Sequence, residues 1–230
     1  MKKLIALTLA AGLALALAAR AADELPPKAH PDSSKWENLI APDLSNADFP
    51  AGIWYVESGT FTASKDETIW SKKDWENFVI DLEFQPAEKA NSGVVIYCTD
   101  PKNWIPNSVE VQILDDWSAE WKDKPATWKC AAIFGRLAAS KQMVKKAGEW
   151  NRMTVWAKGQ MIYVMLNGEL VTTCDMSKWT DPKKNPDGSE IPPWLSKPMA
   201  TLPTKGKIGL QGKHGGAQIH FRNVKIKQLE

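Results

Sequence analysis

Apolar and polar residues alternate in short runs along most of the chain. GIWYVESGTFTA, FVIDLEFQ, SGVVIYC, SVEVQILDD, KGKIGLQGK and AQIHFRNVKIKQL each carry the two-residue period of a half-buried strand, with turn residues between them. The longer run NRMTVWAKGQMIYVMLNGELVTTC reads as several strands joined by hairpins. Asn167-Gly168 suits a tight type I′ turn, and a second turn falls at Lys158 to Gln160. RLAASKQMVKK, residues 136–146, is the best candidate for a helix and reads equally well as loop. No internal repeat is present. Two stretches, DDWSAEWKDKPATWKCAAIFG and MSKWTDPKKNPDGSEIPPWLSKPMATLPTKG, are long loops, and in a compact domain such loops commonly wall or cover a site. Many antiparallel strands with almost no helix predict an all-β sandwich of two sheets in jelly-roll style, one of them curving to form a cleft.

The first residues break the alternation. MKKLIALTLAAGLALALAARAADE has a lysine pair, an apolar run from Leu4 to Ala19, and small residues at Ala19 and Ala21. This is the pattern of a secretory signal peptide over residues 1–21, so the expected location is periplasmic or secreted, with no membrane span after processing. Residues 22–35 are expected to be a flexible segment and residues 36–230 a single domain, a size that all-β folds often reach undivided.

Composition narrows the functional classes. A formal charge of +2 with the signs mixed gives no nucleic-acid footprint. Cys98, Cys130 and Cys174 have no close metal-type spacing and allow at most one disulfide. The twelve tryptophans are the unusual feature. Trp54, Trp70, Trp75, Trp150 and Trp156 fall in strand-like segments and are expected in the core. Trp104, Trp117, Trp121, Trp128, Trp179 and Trp194 fall in loops, where a flat indole either pins the loop or stacks on the C–H face of a sugar.

NSVEVQILDDW, residues 107–117, concentrates the candidate chemistry. Val109, Val111 and Ile113 share one face; Glu110 and Gln112 share the other, with Asp115 and Asp116 following. If the valines and Ile113 enter the core, Glu110 and Gln112 face away from it, toward either a cleft or bulk water.

Taken in order, TIWSKKDWENFVIDLEFQ, NSGVVIY, NWIPNSVEVQILDD, AIFG, GEWNRMTVWAKG, LNGELV and GKIGLQGKHGGAQIHFRNVKIKQL resemble the 3-keto-disaccharide hydrolase domain family, over residues 36 to 230. The resemblance implies a concanavalin-like, laminarinase-like jelly roll with long cleft-forming loops. It also implies cleavage of glycosides already oxidised to a ketone at carbon 3, with a sugar 3-oxidoreductase acting upstream. The chain departs from the family at Cys98, where an arginine often closes the strand, and at GLQGKHGG, where GLQDHG is common.

A ketone at carbon 3 acidifies the proton on carbon 2. Removing that proton lets the glycosidic oxygen leave carbon 1, and water then adds. The route needs a base or acid of suited pKa and donors for the enolate oxygen. The candidates for catalysis are Glu110, His214 and Arg222. Those for substrate binding are Gln112, Asp116, Trp104, Trp117, Arg136, Gln211 and Asn91. No cofactor is required by the residues, but a divalent cation held by Glu110, Asp115 or Asp116 is an alternative to an arginine. Of the other histidines, His30 is expected to be mobile, and His220 alternates with Phe221 in the last strand.

Two other readings compete. EVQILD superficially matches the Glu-x-Asp-x-x-Glu strand of retaining glucanases, which need carboxyls about 5–5.5 Å apart. Here the middle acid is Gln112 and the last the shorter Asp115, nominally ~16 Å from Glu110 along a strand. The third reading is a non-catalytic, lectin-like carbohydrate-binding module, which needs only stacking and hydrogen bonds.

Overall fold

The structure is a computed structural model that describes residues 25–230. The expected signal peptide and its cut lie outside the described residues. All the strand pairing is antiparallel and falls into two sheets. The larger sheet has eight strands. Its order is Glu169–Asp175, Met161–Leu166, Asn151–Lys158, Phe78–Pro86, Ile219–Gln228, Thr60–Ala63 and Trp54–Glu57, with Glu37–Asn38 also pairing with Ile219–Gln228. The smaller sheet has six. Its order is Ala47–Asp48, Ile69–Ser71, Lys205–Leu210, Asn91–Cys98 and Val109–Leu114, with Trp75–Glu76 also on Lys205–Leu210. Among the described residues the helices are short 3-10 turns, and residues 136–146 form none. This is the two-sheet jelly-roll sandwich that the alternation predicts, of the concanavalin-like kind that the resemblance implies.

The core follows from the two-residue period. Val94, Ile96, Val111 and Ile113 of the smaller sheet meet Leu82, Val155, Val164 and Phe221 of the larger one in a single buried cluster. Complete burial of such a side chain stabilises by about 1.5–3 kcal/mol. Hairpin chemistry fixes the register. Asn167 and Gly168 both have positive φ, 51° and 92°, as a type I′ turn requires, and they join Met161–Leu166 to Glu169–Asp175. The turn at Gly159 and Gln160, where only the glycine has positive φ (52°), sets the preceding pair.

The outer face of the larger sheet is covered by the chain's N-terminal part. Leu25 and Trp36 pack on a second apolar cluster that includes Val79, Trp156 and Met165. His30 is not mobile: Nε2 accepts from the Gly168 N–H at 2.9 Å, and Nδ1 lies 2.6 Å from the Thr154 hydroxyl. Arg152 donates to the Pro31 carbonyl at 2.6 Å. His30, Pro31 and Ser33 are therefore hydrogen-bonded to the sheet, where the sequence suggests a flexible segment. Burial of an imidazole that already accepts one hydrogen bond disfavours its cation. His30 is lowered to about 4 by that burial and by the Arg152 charge, against the pull of Asp81.

Trp54, Trp70, Trp75 and Trp156 are buried as expected, but Trp150 is only half-buried, under the Arg222 guanidinium. Trp179, a loop residue, is buried. The three cysteines are free and buried.

Candidate functional site

Glu110 and Gln112 do face away from the core, on the outer surface of the six-stranded sheet. In register, Gly93 lies opposite Gln112 and Val95 opposite Glu110. A cavity of about 370 Å³ opens over them, within the range of small-molecule sites. Its floor is polar: Asn91, Glu110, Gln112 and Gln211. Its walls are mostly aromatic and come from three separate loops. Trp104 and Ile105 precede the strand, Trp128 and Phe134 follow it, and Trp194 reaches in from the loop between residues 178 and 199. Trp128 meets Phe134 at 5.1 Å and Trp194 at 6.0 Å between ring centroids. Trp194 nevertheless stays 47 % exposed, leaving ring surface available at the rim.

Gly93 lets Glu110 lie across the sheet. A Cβ at position 93 would fall 2.2 Å from Glu110 Oε1 and 2.8 Å from its Cγ and Cδ. The carboxylate thus rests on bare backbone, a close approach that only glycine permits. Burial pushes the Glu110 carboxyl up to about 8; the His214 charge opposes this and the Asp66 charge adds to it. No hydrogen bond enters that balance.

His214 stands at the cavity edge, in a turn bridged to Asn91. Its Nδ1 is 2.6 Å from Asp66 Oδ2, which leaves Nε2 as the nitrogen without a carboxylate. The Asp66 hydrogen bond raises the His214 pKa against partial burial, and the charges of Asp66 and Glu110 raise it further. Asp66, His214 and Glu110 therefore form a coupled series, with the histidine between two carboxyl groups.

The amides of the floor are pre-ordered. Gln112, 2 % exposed, donates to Asn91 Oδ1 at 2.7 Å. The Gln211 backbone is tied to the strand beside it, its N–H to the Gly93 carbonyl and its carbonyl to the Ser92 hydroxyl. Asn91 is the first residue of its strand.

A second cavity, about 550 Å³, adjoins the first and shares Trp104, Ile105, Gln211 and His214 with it. Glu110 lines the first and not the second. The cleft thus has an inner lobe over Glu110 and an outer lobe, with His214 at their junction.

The structure does not gather every residue that the sequence nominated. Arg222 is on the opposite sheet, facing outward, where Nε holds Glu83 Oε2 at 2.9 Å. Its alternation with Phe221 does point it away from the core, but out of the other side of the sandwich. Asp115 is buried and turned into its own loop, accepting from the Lys89 and Trp117 N–H groups. Asp116 accepts from the Cys130 N–H and lines a separate cavity of about 300 Å³. Burial pushes Asp116 up to about 6, against the Cys130 hydrogen bond and the Lys129 charge. Glu110, Asp115 and Asp116 therefore do not converge on one cation. Nor does Asp115 supply the second carboxyl of a retaining glucanase. Trp117 is on the surface, its Nε1 donating to the Val144 carbonyl, and is absent from the cavity walls.

Arg136 is adjacent but sealed. It is 6 % exposed, and Nη2 donates to the Leu195 and Lys197 carbonyls at 3.0 and 2.7 Å. Its buried Nη1 has no hydrogen-bond partner, and the residue shares a small void with Glu110, behind the cavity. Burial lowers its pKa to about 10. Arg136 thereby ties down the loop that carries Trp194 and does not line the main cavity.

Sequence reasoning missed Asp66 and Gly93. Asp66 is 148 residues from His214 in the chain, and nothing in its own segment marks it. Gly93 had a visible signal, a glycine inside a strand, which often marks a close approach. Phe134 and Ile105 were missed as wall residues, although each lies inside a quoted motif, AIFG and NWIPNSVEVQILDD.

Comparison with known proteins is consistent with this geometry. A family profile described as the 3-keto-alpha-glucoside-1,2-lyase-like domain matches residues 30–227. A solved protein of Parabacteroides distasonis ATCC 8503, provisionally named a glycosyl hydrolase, is 54 % identical, with 85 % of this chain and all of that one covered and a TM-score of 0.82. A second protein so named from the same organism is 23 % identical, with 82 % and 90 % of the two chains covered and a TM-score of 0.67. A carbohydrate-binding module of Bacillus subtilis shares the fold at 11 % identity, with 80 % and 96 % covered and a TM-score of 0.51. A search of curated proteins gives no match. With nearly the whole described chain inside the profile, the protein belongs to the 3-keto-alpha-glucoside-1,2-lyase-like domain family.

Proposed function

We propose that the protein cleaves glycosides carrying a ketone at carbon 3, by eliminating the glycosidic oxygen and then hydrating the product. The carrying observation is the division of lining residues, in which Glu110 faces only the inner lobe and His214 faces both. A sugar ring over the polar floor presents its carbon 2 proton to Glu110, while its glycosidic oxygen lies at the junction beside His214. Glu110 as carboxylate takes the proton, and the electron pair spreads toward the carbon 3 oxygen. As the carbon 1 to carbon 2 double bond forms, the carbon 1 to oxygen bond breaks and protonated His214 gives its Nε2 proton to the departing oxygen. Glu110 then holds one proton and His214 lacks one, so a transfer from the first to the second restores the pair. Water adds across the double bond to complete hydrolysis.

The electrostatics suit these roles. A carboxylate with a pKa of about 8 is a far stronger base than a solvated one, and an imidazole raised by Asp66 keeps its acid proton near neutrality. The amides of Asn91 and Gln211, on the cavity floor, serve as donors to the ring's oxygens. Asp66 is a positioning residue: it holds the imidazole tautomer that leaves Nε2 toward the junction. The signal-peptide pattern supports action after export, and the chemistry requires an oxidoreductase to supply the ketone.

The aromatic walls alone favour a second reading, a non-catalytic carbohydrate-binding module, since stacking needs no base. One experiment separates the two. The protein is incubated with a 3-keto-disaccharide beside its unoxidised parent, and the products are identified. Release of a monosaccharide from the oxidised sugar alone is expected; binding of both without cleavage sinks the enzymatic reading.

A further inference from the structure

Arg136 is a cation that the fold encloses without a counter-charge. It is 6 % exposed, and among the described residues it pairs with no carboxylate. The one group whose charge would raise it is Cys174, a thiol that burial pushes up to about 12 and so keeps neutral near pH 7. Glu110 does not serve either, since the charges acting on its carboxyl are those of His214 and Asp66. Nη2 is committed to the Leu195 and Lys197 carbonyls, while the buried Nη1 has no partner among the described residues. An unpaired buried charge with a free donor is costly, and a ligand that brings both an acceptor and a negative charge relieves it.

The small cavity that Arg136 shares with Glu110 has the size for such a ligand. Its volume is about 20 Å³, room for one water-sized particle and not for a polyatomic oxyanion. Of the described residues that line it, Arg136 alone is basic, and Ile105, Val109, Ile133, Leu195 and Leu202 make most of the wall apolar. The Ser108 hydroxyl on that wall already donates to the Trp104 carbonyl. A water would satisfy the Nη1 hydrogens and leave the charge uncompensated. From this juxtaposition we infer that the cavity is a site for a single monatomic anion, chloride by preference, held by Arg136 Nη1 and facing the Glu110 carboxyl. Glu110 suits the anion in one protonation state only. Protonated, its hydroxyl is a second donor; ionised, it repels the anion. Of the other charges on Glu110, His214 favours its ionised form and Asp66 opposes it. Anion binding is therefore tighter below about pH 8, where burial keeps the proton on Glu110, and weaker above it. Arg136, lowered to about 10, stays charged across that range. The site goes beyond the proposed function and does not depend on it, because binding is read without turnover.

Crystals of the native protein grown in bromide test the site directly. An anomalous peak in contact with Arg136 Nη1 is expected; density there without anomalous signal, a water only, overturns the inference. In solution, chloride is titrated against methanesulfonate, an anion too large for the cavity, at matched ionic strength. At pH 6 chloride should raise the melting temperature in a saturable way, by about 3–5 °C over methanesulfonate. At pH 9 that rise should shrink by about half or more. In Glu110→Gln it should be the same at both pH values, because the amide keeps its donor and gains no charge. Arg136→Gln should abolish the rise. If that variant does not fold, the anomalous map of the native protein decides. Equal melting temperatures in the two salts overturn the site, and an equal rise at pH 6 and pH 9 in the native protein removes Glu110 from it.

Discussion

The outer faces of the two sheets each hold a carboxylate that the fold has taken largely out of water, and they treat it in opposite ways. On the larger sheet, Asp81 is 4 % exposed and saturated: Arg152 gives it two hydrogen bonds at 3.0 and 2.8 Å, Thr154 a third at 2.6 Å, and Ser33 a fourth. On the smaller sheet, Glu110 has no hydrogen bond to hold its charge, and burial pushes it up to about 8. A saturated carboxylate is scaffold, since every lone pair is committed and a ligand has nothing to gain from it. An unsaturated one that opens on a cavity is poised to exchange a proton. The arginines sort in the same way. Arg152 and Arg222 neutralise acids on the scaffold face, while Arg136 near the site gives its Nη2 to loop carbonyls and pairs with no acid among the described residues.

The sharpest way to break this contrast is to reverse the strand's two faces. Val111→Asp buries an unpaired charge in the fully enclosed core between the sheets and should abolish folding, seen as lost soluble yield and lost β circular dichroism. Glu110→Gln, one residue away, should leave the fold intact and lower turnover of a 3-keto-glycoside by about 10²-fold or more. Full activity in that variant would remove Glu110 from the mechanism.

Gly93→Ala tests geometry rather than charge. Its methyl group displaces the Glu110 side chain but meets no backbone among its nearest contacts, so activity should fall by about 10-fold or more with little change in melting temperature. A variant with unchanged kinetics would show that the resting position of Glu110 is not its working one.

pH separates the two faces by sign. Glu110 is raised in the folded state, from 4.5 to about 8, so its contribution to stability is complete below about 4.5 and is lost as pH rises through 8. His30 is lowered from 6.5 to about 4, so its contribution is complete above 6.5 and is lost as pH falls through 4. Glu110→Gln should therefore gain melting temperature over the native protein as pH rises from 5 to 8, by roughly 5 °C. His30→Gln should narrow the loss between pH 6.5 and 4. Turnover by the native protein should climb with pH toward 8 as Glu110 ionises. A turnover that declines over that range would assign Glu110 the role of acid.

The smallest effect belongs to Arg222→Gln. It breaks a half-exposed ion pair with Glu83 and should cost about 1 kcal/mol or less in stability and under about 2-fold in turnover. A larger loss of turnover would couple the outer face of the larger sheet to the cleft.

What the sequence by itself determined was whatever depends on neighbours in the chain. The two-residue period told the core face at Val111 from the outward face at Glu110, Asn167-Gly168 set a hairpin, and loop length pointed to the walls that Trp128 and Trp194 supply. The motifs from TIW to the final strand named the family. Only the tertiary structure decided which polar residues meet. Alternation says that Arg222 leaves the core, but not from which side of the sandwich, because a sheet's outward face is set by its layer and not by its pattern. Asp115 and Asp116 follow Glu110 directly, yet the chain turns after Leu114 and the backbone N–H groups of Lys89, Trp117 and Cys130 claim them. Asp66 reaches His214 across 148 residues because two loop ends close over the same sheet. The pKa of Glu110 belongs to no residue type: it comes from burial of a carboxylate resting on Gly93, an environment that exists only once the strands and loops have come together.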